Sequence, residues 1–178
     1  DIASIRSISR PLYSPDQTLI LFVAFEPEGK SLQLLNVCSK QTFFLTRIET
    51  DVPQASFSPA GEHILFVNTV AGKRKIFIIN TDGTQKKILS NDDGEDFDPR
   101  FSYDGQKIAF IKKNGNRTSV WMMNRDGKHA REITTADASH GHPSISPDGE
   151  KIVYHSFQHG SNNIYLADLT RNYSETLF

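Results

Sequence analysis

The sequence predicts an all-β fold, a β-propeller built of four four-stranded antiparallel blades, and three observations carry that prediction. A Ser-Pro-Asp-Gly-like turn recurs at Ser14, Ser58, Ser102 and Ser146, an unbroken spacing of 44 residues. Short apolar runs separated by turn signals fill each repeat, in the manner of an antiparallel meander. The middle runs are apolar on consecutive residues, as in Ile108-Ala109-Phe110-Ile111 and Val120-Trp121-Met122-Met123, so both faces of each sheet need cover. No convincing helical period offers that cover. Neighbouring repeats must therefore stack, and the right-handed twist of strands fans stacked sheets about an axis.

The third repeat shows one unit in order. Arg100-Phe101-Ser102 reads as a short first strand and Tyr103-Asp104-Gly105-Gln106 as a tight turn, with Gly105 supplying the positive φ of an Asp-Gly hairpin. Lys107 to Ile111 reads as the second strand, Lys112 to Arg117 as a loop, Ser119 to Asn124 as the third strand, Arg125-Asp126-Gly127-Lys128 as a second turn and Arg131 to Thr134 as the outer strand. The other repeats align with it at Ile20, Ile64 and Ile152, at Phe22, Phe66 and Tyr154, and at Leu32, Ile76 and Ile164. The expected blades are 10–46, 54–90, 98–134 and 142–178, after a lead-in of residues 1–9. Four blades make either a four-bladed ring or an arc of a larger propeller.

Composition narrows the function. The net charge is −1, which recruits neither nucleic acid nor an anionic membrane surface. No apolar run approaches the roughly 20 residues of a membrane span, and no signal-peptide h-region opens the chain. Cys38 is the single cysteine, replaces a turn residue and is expected at the surface. No nucleophile elbow, phosphate-binding loop or His-Glu-x-x-His motif is present.

The run Phe101-Ser102-Tyr103-Asp104-Gly105-Gln106-Lys107-Ile108-Ala109-Phe110, followed by Val120 to Gly127 and Arg131-Glu132-Ile133-Thr134, resembles the repeat of the TolB-type, WD40-like propellers, and the resemblance covers essentially the whole chain. It departs at Gln17, Cys38-Ser39, Tyr103 and Thr170-Arg171. TolB-type propellers have six blades and a further N-terminal domain. The resemblance implies a non-catalytic binding module of the bacterial envelope, periplasmic, with a protein or peptide partner across the loop face and channel mouth, and self-association as a route to a complete ring. A propeller of the oligogalacturonate lyase type, which His140-Gly141-His142-Pro143 also resembles, and the propeller of a serine peptidase are the alternatives.

Candidate ligand-binding residues gather on the face that carries the loops between blades. His140 and His142 enter the fourth blade, with His155 and His159 close by. A His-x-His pair in an extended segment points both rings one way, and imidazole is a common metal ligand. No cofactor is expected, with a divalent metal at His140, His142 and Asp137 as the alternative. The run Asn91 to Asp98 holds five carboxylates and reads as a solvated acidic loop or a hard-cation site. Asp96 and Asp98 occupy the positions of His140 and His142 and are expected at an acidic rim. Lys73-Arg74-Lys75 and Lys86-Lys87 read as solubilising surface.

Overall fold

The computed structural model describes residues 5–90, 92–134, 138–158, 160–170 and 173–176, and no helix occurs among them. Blade 1 comprises β1 (Ser7–Tyr13), β2 (Leu19–Glu26), β3 (Gly29–Asn36) and β4 (Thr42–Ile48). Blade 2 comprises β5 (Ala55–Phe57), β6 (His63–Val70), β7 (Lys73–Asn80) and β8 (Lys87–Ile88). Blade 3 comprises β9 (Glu95–Phe101), β10 (Lys107–Asn114), β11 (Arg117–Asn124) and β12 (Arg131–Glu132). Blade 4 comprises β13 (Ser139–Ile145), β14 (Lys151–Gln158), β15 (Ser161–Asp168) and β16 (Tyr173–Thr176). Each blade is a meander in which strands adjacent in sequence pair antiparallel.

Strand extents differ from the sequence reading in two ways. β1 already pairs with β2 from Ser7, opposite Phe25, within the stretch read as a lead-in. The segment expected as a loop over Lys112–Arg117 is a tight hairpin, in which Asn114 faces Arg117 across two residues. Gly115, at φ +60°, turns the chain there without a side-chain clash.

The recurring serine organises the first turn of each blade. In blade 3 the Lys107 amide donates to Ser102 Oγ (2.9 Å), and the Ser102 hydroxyl donates to Asp104 Oδ1 (2.6 Å). Ser14 with Asp16, and Ser146 with Asp148, repeat the device. The turn then needs a left-handed residue, which is glycine in three blades and Gln17, at φ +62°, in the first.

The core lies between blades. Leu21, Val23, Leu32 and Leu34 of blade 1 pack against Phe57, Ile64, Phe66 and Ile79 of blade 2. Leu65, Ile76 and Ile78 meet Ile108, Phe110 and Met123. Ala109, Ile111, Val120 and Met122 meet Ile145, Ile152, Tyr154 and Ala167. Each such side chain contributes about 1.5–3 kcal/mol on full burial, so the interblade layers outweigh any single turn. Among the described residues, strands pack closely from blade 2 to 3 and from blade 3 to 4, and blade 1 joins blade 2 through the Leu21 to Ile79 cluster and a contact of β4 with β6. Among the described residues no such packing joins blade 4 to blade 1, so the four blades form an open arc and not a closed four-bladed ring.

Candidate functional site

The first strands carry four of the residues that the sequence singles out, Asp96, Asp98, His140 and His142, and His155 stands on β14. The first strands of blades 3 and 4 pack on each other, and each of β1, β9 and β13 is interrupted by a β-bulge. At the bulge Arg10, Asp98 and His142 hold φ values of +54°, +53° and +51°, each just before a proline. A left-handed non-glycine residue costs about 1–3 kcal/mol and persists where its surroundings over-determine it. Here the bulge residues are linked from blade to blade. The Asp98 amide donates to Gln54 Oε1 (2.7 Å), and the His142 amide donates to Asp98 Oδ2 (3.0 Å). Gln54, Asp98 and His142 are one repeat apart, and the side chains of Gln54 and Asp98 each cap the kinked backbone of the next blade.

The bulge overturns the expected pairing of His140 with His142, because strand alternation fails across it. His140 is buried, edge-on to the Tyr154 ring (centroids 5.3 Å apart, 82° between planes), with its amide donating to Thr118 Oγ1 (2.7 Å). His142 points to solvent, its Nδ1 3.0 Å from Asp98 Oδ2 and its ring 5.2 Å from that of His155. Gly141 permits this overlap, since a Cβ there would lie 2.5 Å from His155 Cε1. Burial, then the nearness of His142, holds the His155 imidazole below its ordinary value, while Asp98 pulls it the other way. Asp137 and His159 lie outside the described residues. Among the described residues no three His, Cys, Asp or Glu side chains are grouped to hold an ion.

The acidic run is a solvated loop only in part: Asp92 and Asp93 are exposed, whereas Asp96 and Asp98 are buried. Asp96 is fully buried, with Lys112 Nζ 3.0 Å from Oδ1 and Lys75 Nζ 3.3 Å from Oδ2. Lys75 also donates to the Gly94 carbonyl (2.6 Å), and Asp92 pairs with Lys112. Partial burial raises the Asp92 carboxyl, but its bond to Lys112 and the two ammonium charges bring it below its ordinary value. Arg74 Nε donates to Glu95 (2.7 Å) and lies over the Phe97 ring. The connector is thus tied to blade 2 by the basic run 73–75, which sequence reasoning took for solubilising surface, and to blade 3 by Lys112. Asp98 is buried as well, with Arg100 Nη2 3.0 Å from its Oδ1. The acidic rim expected at the channel mouth therefore does not form, and the outward groups there are Arg100 and His142.

A feature the sequence did not suggest lies at the other end of the first strands. Leu12, Tyr13, Pro15, Ser56, Phe57, Pro59, Arg100, Phe101 and Tyr103 line an apolar cleft of about 400 Å³ spanning blades 1 to 3. Tyr103, which replaces the turn proline, is 75% exposed. That departure from the repeat was the available signal.

These features define a propeller segment with linked inner strands and a polar–aromatic surface along them. The chain belongs to the TolB β-propeller domain family, whose profile matches residues 2–178. Among solved structures it is similar to TolB from Acinetobacter baumannii, with a TM-score of 0.75 at 23% identity, over 96% of this chain and 43% of that one. It is also similar to a putative TolB from Agrobacterium tumefaciens, with a TM-score of 0.77 at 22% identity, over 93% and 63%. A puromycin hydrolase matches with a TM-score of 0.76 at 14% identity, over 97% of this chain and 28% of the hydrolase. The chain thus spans less than two thirds of each of these proteins. A comparison with curated protein sequences gave no match.

Proposed function

We propose that this chain is a non-catalytic binding module of the bacterial cell envelope, working in the periplasm, whose partner is a protein segment lying along the first strands. Membership of the TolB β-propeller family supports the envelope setting. The single observation that carries the binding site is the cleft formed by Leu12, Tyr13, Pro15, Pro59 and Tyr103, with Arg100, whose guanidinium also pairs with Asp98, in its lining. Exposed aromatic and proline side chains beside an arginine suit an extended peptide that bears apolar side chains and a carboxylate. His142 continues that surface toward the loop end.

Selection of peptides from a random library on the immobilised chain tests the reading. Peptides that bind the wild type are expected to lose at least tenfold in affinity for Tyr103→Ser and for Arg100→Ala. Selected peptides that bind both variants unchanged would place the site elsewhere and overturn the assignment.

A further inference from the structure

At the end that carries the tight turns, the junction of blades 2 and 3 holds a polar cleft of about 400 Å³. His63, Asn80, Gln85 and Lys87 of blade 2 and Arg125 and Asp126 of blade 3 line it. The positions of His63, Lys87 and Arg125 hold Leu19, Phe43 and Thr81 at the junction of blades 1 and 2, and Lys107, Arg131 and Leu169 at that of blades 3 and 4. Only the junction of two inner blades therefore has a cation on both sides. The turn bearing Arg125 is fixed there. The Arg125 amide donates to the Gln106 carbonyl (2.8 Å) and the Gly127 amide to the Asn124 carbonyl (2.9 Å). Gly127, at φ +88°, lies so close to blade 2 that a Cβ would come within 2.8 Å of the Leu89 carbonyl oxygen. Among the described residues no carboxylate pairs with Lys87 or Arg125 at salt-bridge distance, and neither side chain has a hydrogen-bond partner. Asp126 is taken up by Lys128, whose amide donates to Oδ1 (2.9 Å) and whose Nζ lies 3.7 Å from Oδ2. His63 Nδ1 is buried without a hydrogen-bond partner, which leaves Nε2 as the ring atom able to serve a ligand.

We infer that this cleft binds a phosphorylated sugar, its phosphate between Arg125 and Lys87 and its hydroxyls against Asn80, Gln85 and Asp126. A guanidinium offers a planar fork that matches phosphate oxygens, and an ammonium adds a compact charge. The amides and the carboxylate decide what the phosphate is attached to. Hydroxyl groups both donate and accept, so they suit an amide and a carboxylate side by side. A bare anion would leave those groups unserved and would be repelled by Asp126. The site shares no residue with the peptide cleft, so either can fail without the other.

Calorimetric titration with glucose-6-phosphate, glucose and inorganic phosphate tests the inference. Glucose-6-phosphate is expected to bind at least tenfold more tightly than either of the others. Lys87→Ala and Arg125→Ala are each expected to weaken it at least tenfold. Both side chains are exposed, so the circular dichroism spectrum should not change. Lys151→Ala removes the same charge from an exposed position of blade 4 and is expected to bind as the wild type does. Cosedimentation with phosphatidylcholine vesicles bearing a phosphorylated-glucosamine lipid separates the two sources of such a ligand. Pelleting that Lys87→Ala abolishes assigns the lipid-borne source, and binding of the free sugar phosphate alone assigns the soluble one. Four results would each overturn the inference: no binding to the sugar phosphate or to these vesicles, equal affinity for inorganic phosphate, Lys87 and Arg125 variants that bind like the wild type, or an equal loss in Lys151→Ala.

Discussion

Gln17 shows how far one residue can depart from a repeat that otherwise dictates it. It occupies the left-handed turn position with φ +62°, where the other three blades place glycine at +78°, +69° and +74°. The strain of a non-glycine residue there exceeds the entropy that glycine restores to the unfolded chain. Gln17→Gly is therefore expected to raise stability by about 1 kcal/mol, read as a higher urea midpoint at constant slope. His155 is the second departure, an imidazole at an otherwise aliphatic position. Its folded pKa is lowered, chiefly by burial and then by His142. The unfolded chain therefore takes up the proton first, near the ordinary histidine value of about 6.5. Stability is complete above that value and is lost as pH falls through it toward the folded pKa. Thermal melts from pH 7.5 to 5.5 should show a falling midpoint, and His155→Val should flatten that slope. A slope unchanged in the variant would assign the acid sensitivity to another group.

At the scale of the strand and its connector, the buried ion cluster is the feature with the largest single consequence. Asp96 balances two ammonium groups that are themselves nearly buried, Lys75 and Lys112. Removing one partner of a buried ion pair typically costs about 3–5 kcal/mol, because the charge left behind stays desolvated. Asp96→Ala is expected to destabilise by that order in chemical denaturation. Asp96→Ala combined with Lys112→Met should recover part of the loss. A cost below about 1 kcal/mol for the single change would mean that water reaches the lysines and the cluster contributes little. The serine turns, the aligned isoleucines and the meander order could all be read from the 44-residue recurrence, since local turn chemistry and alternating burial repeat with it. The cluster could not be read that way. Its members stand in three segments, at Lys75, Asp92 to Asp96 and Lys112, separated by 17 to 21 residues in their pairings, and only the seating of the connector between blades 2 and 3 joins them. The bulge was hidden for a similar reason. An Asp-Pro or His-Pro pair is compatible with a straight extended strand, and nothing local reveals that the preceding blade caps the backbone there.

For the molecule as a whole, stability is unequally shared. Among the described residues, blades 2 and 3 are covered on both faces, while blades 1 and 4 have one interblade layer each. In stacked-repeat folds the free energy is close to a sum over units and their contacts. Amide exchange is therefore expected to be slowest in the second and third strands of blades 2 and 3 and faster in their blade 1 and blade 4 counterparts. Equal protection in all four blades would show that the arc opens only as one unit.

The unbroken period has a further consequence: the blades are interchangeable cassettes. Excising residues 99–142 removes one full period and splices Asp98 to Pro143, which restores the Asp-Pro junction of the third blade. Leu65, Ile76 and Ile78 would then meet Ile152, Tyr154 and Ala167, and Lys75 would keep Asp96. A shortened chain of this kind should unfold cooperatively as three blades. An excision one residue shorter or longer would turn every side chain in the spliced strand onto the wrong face, and that chain should not fold.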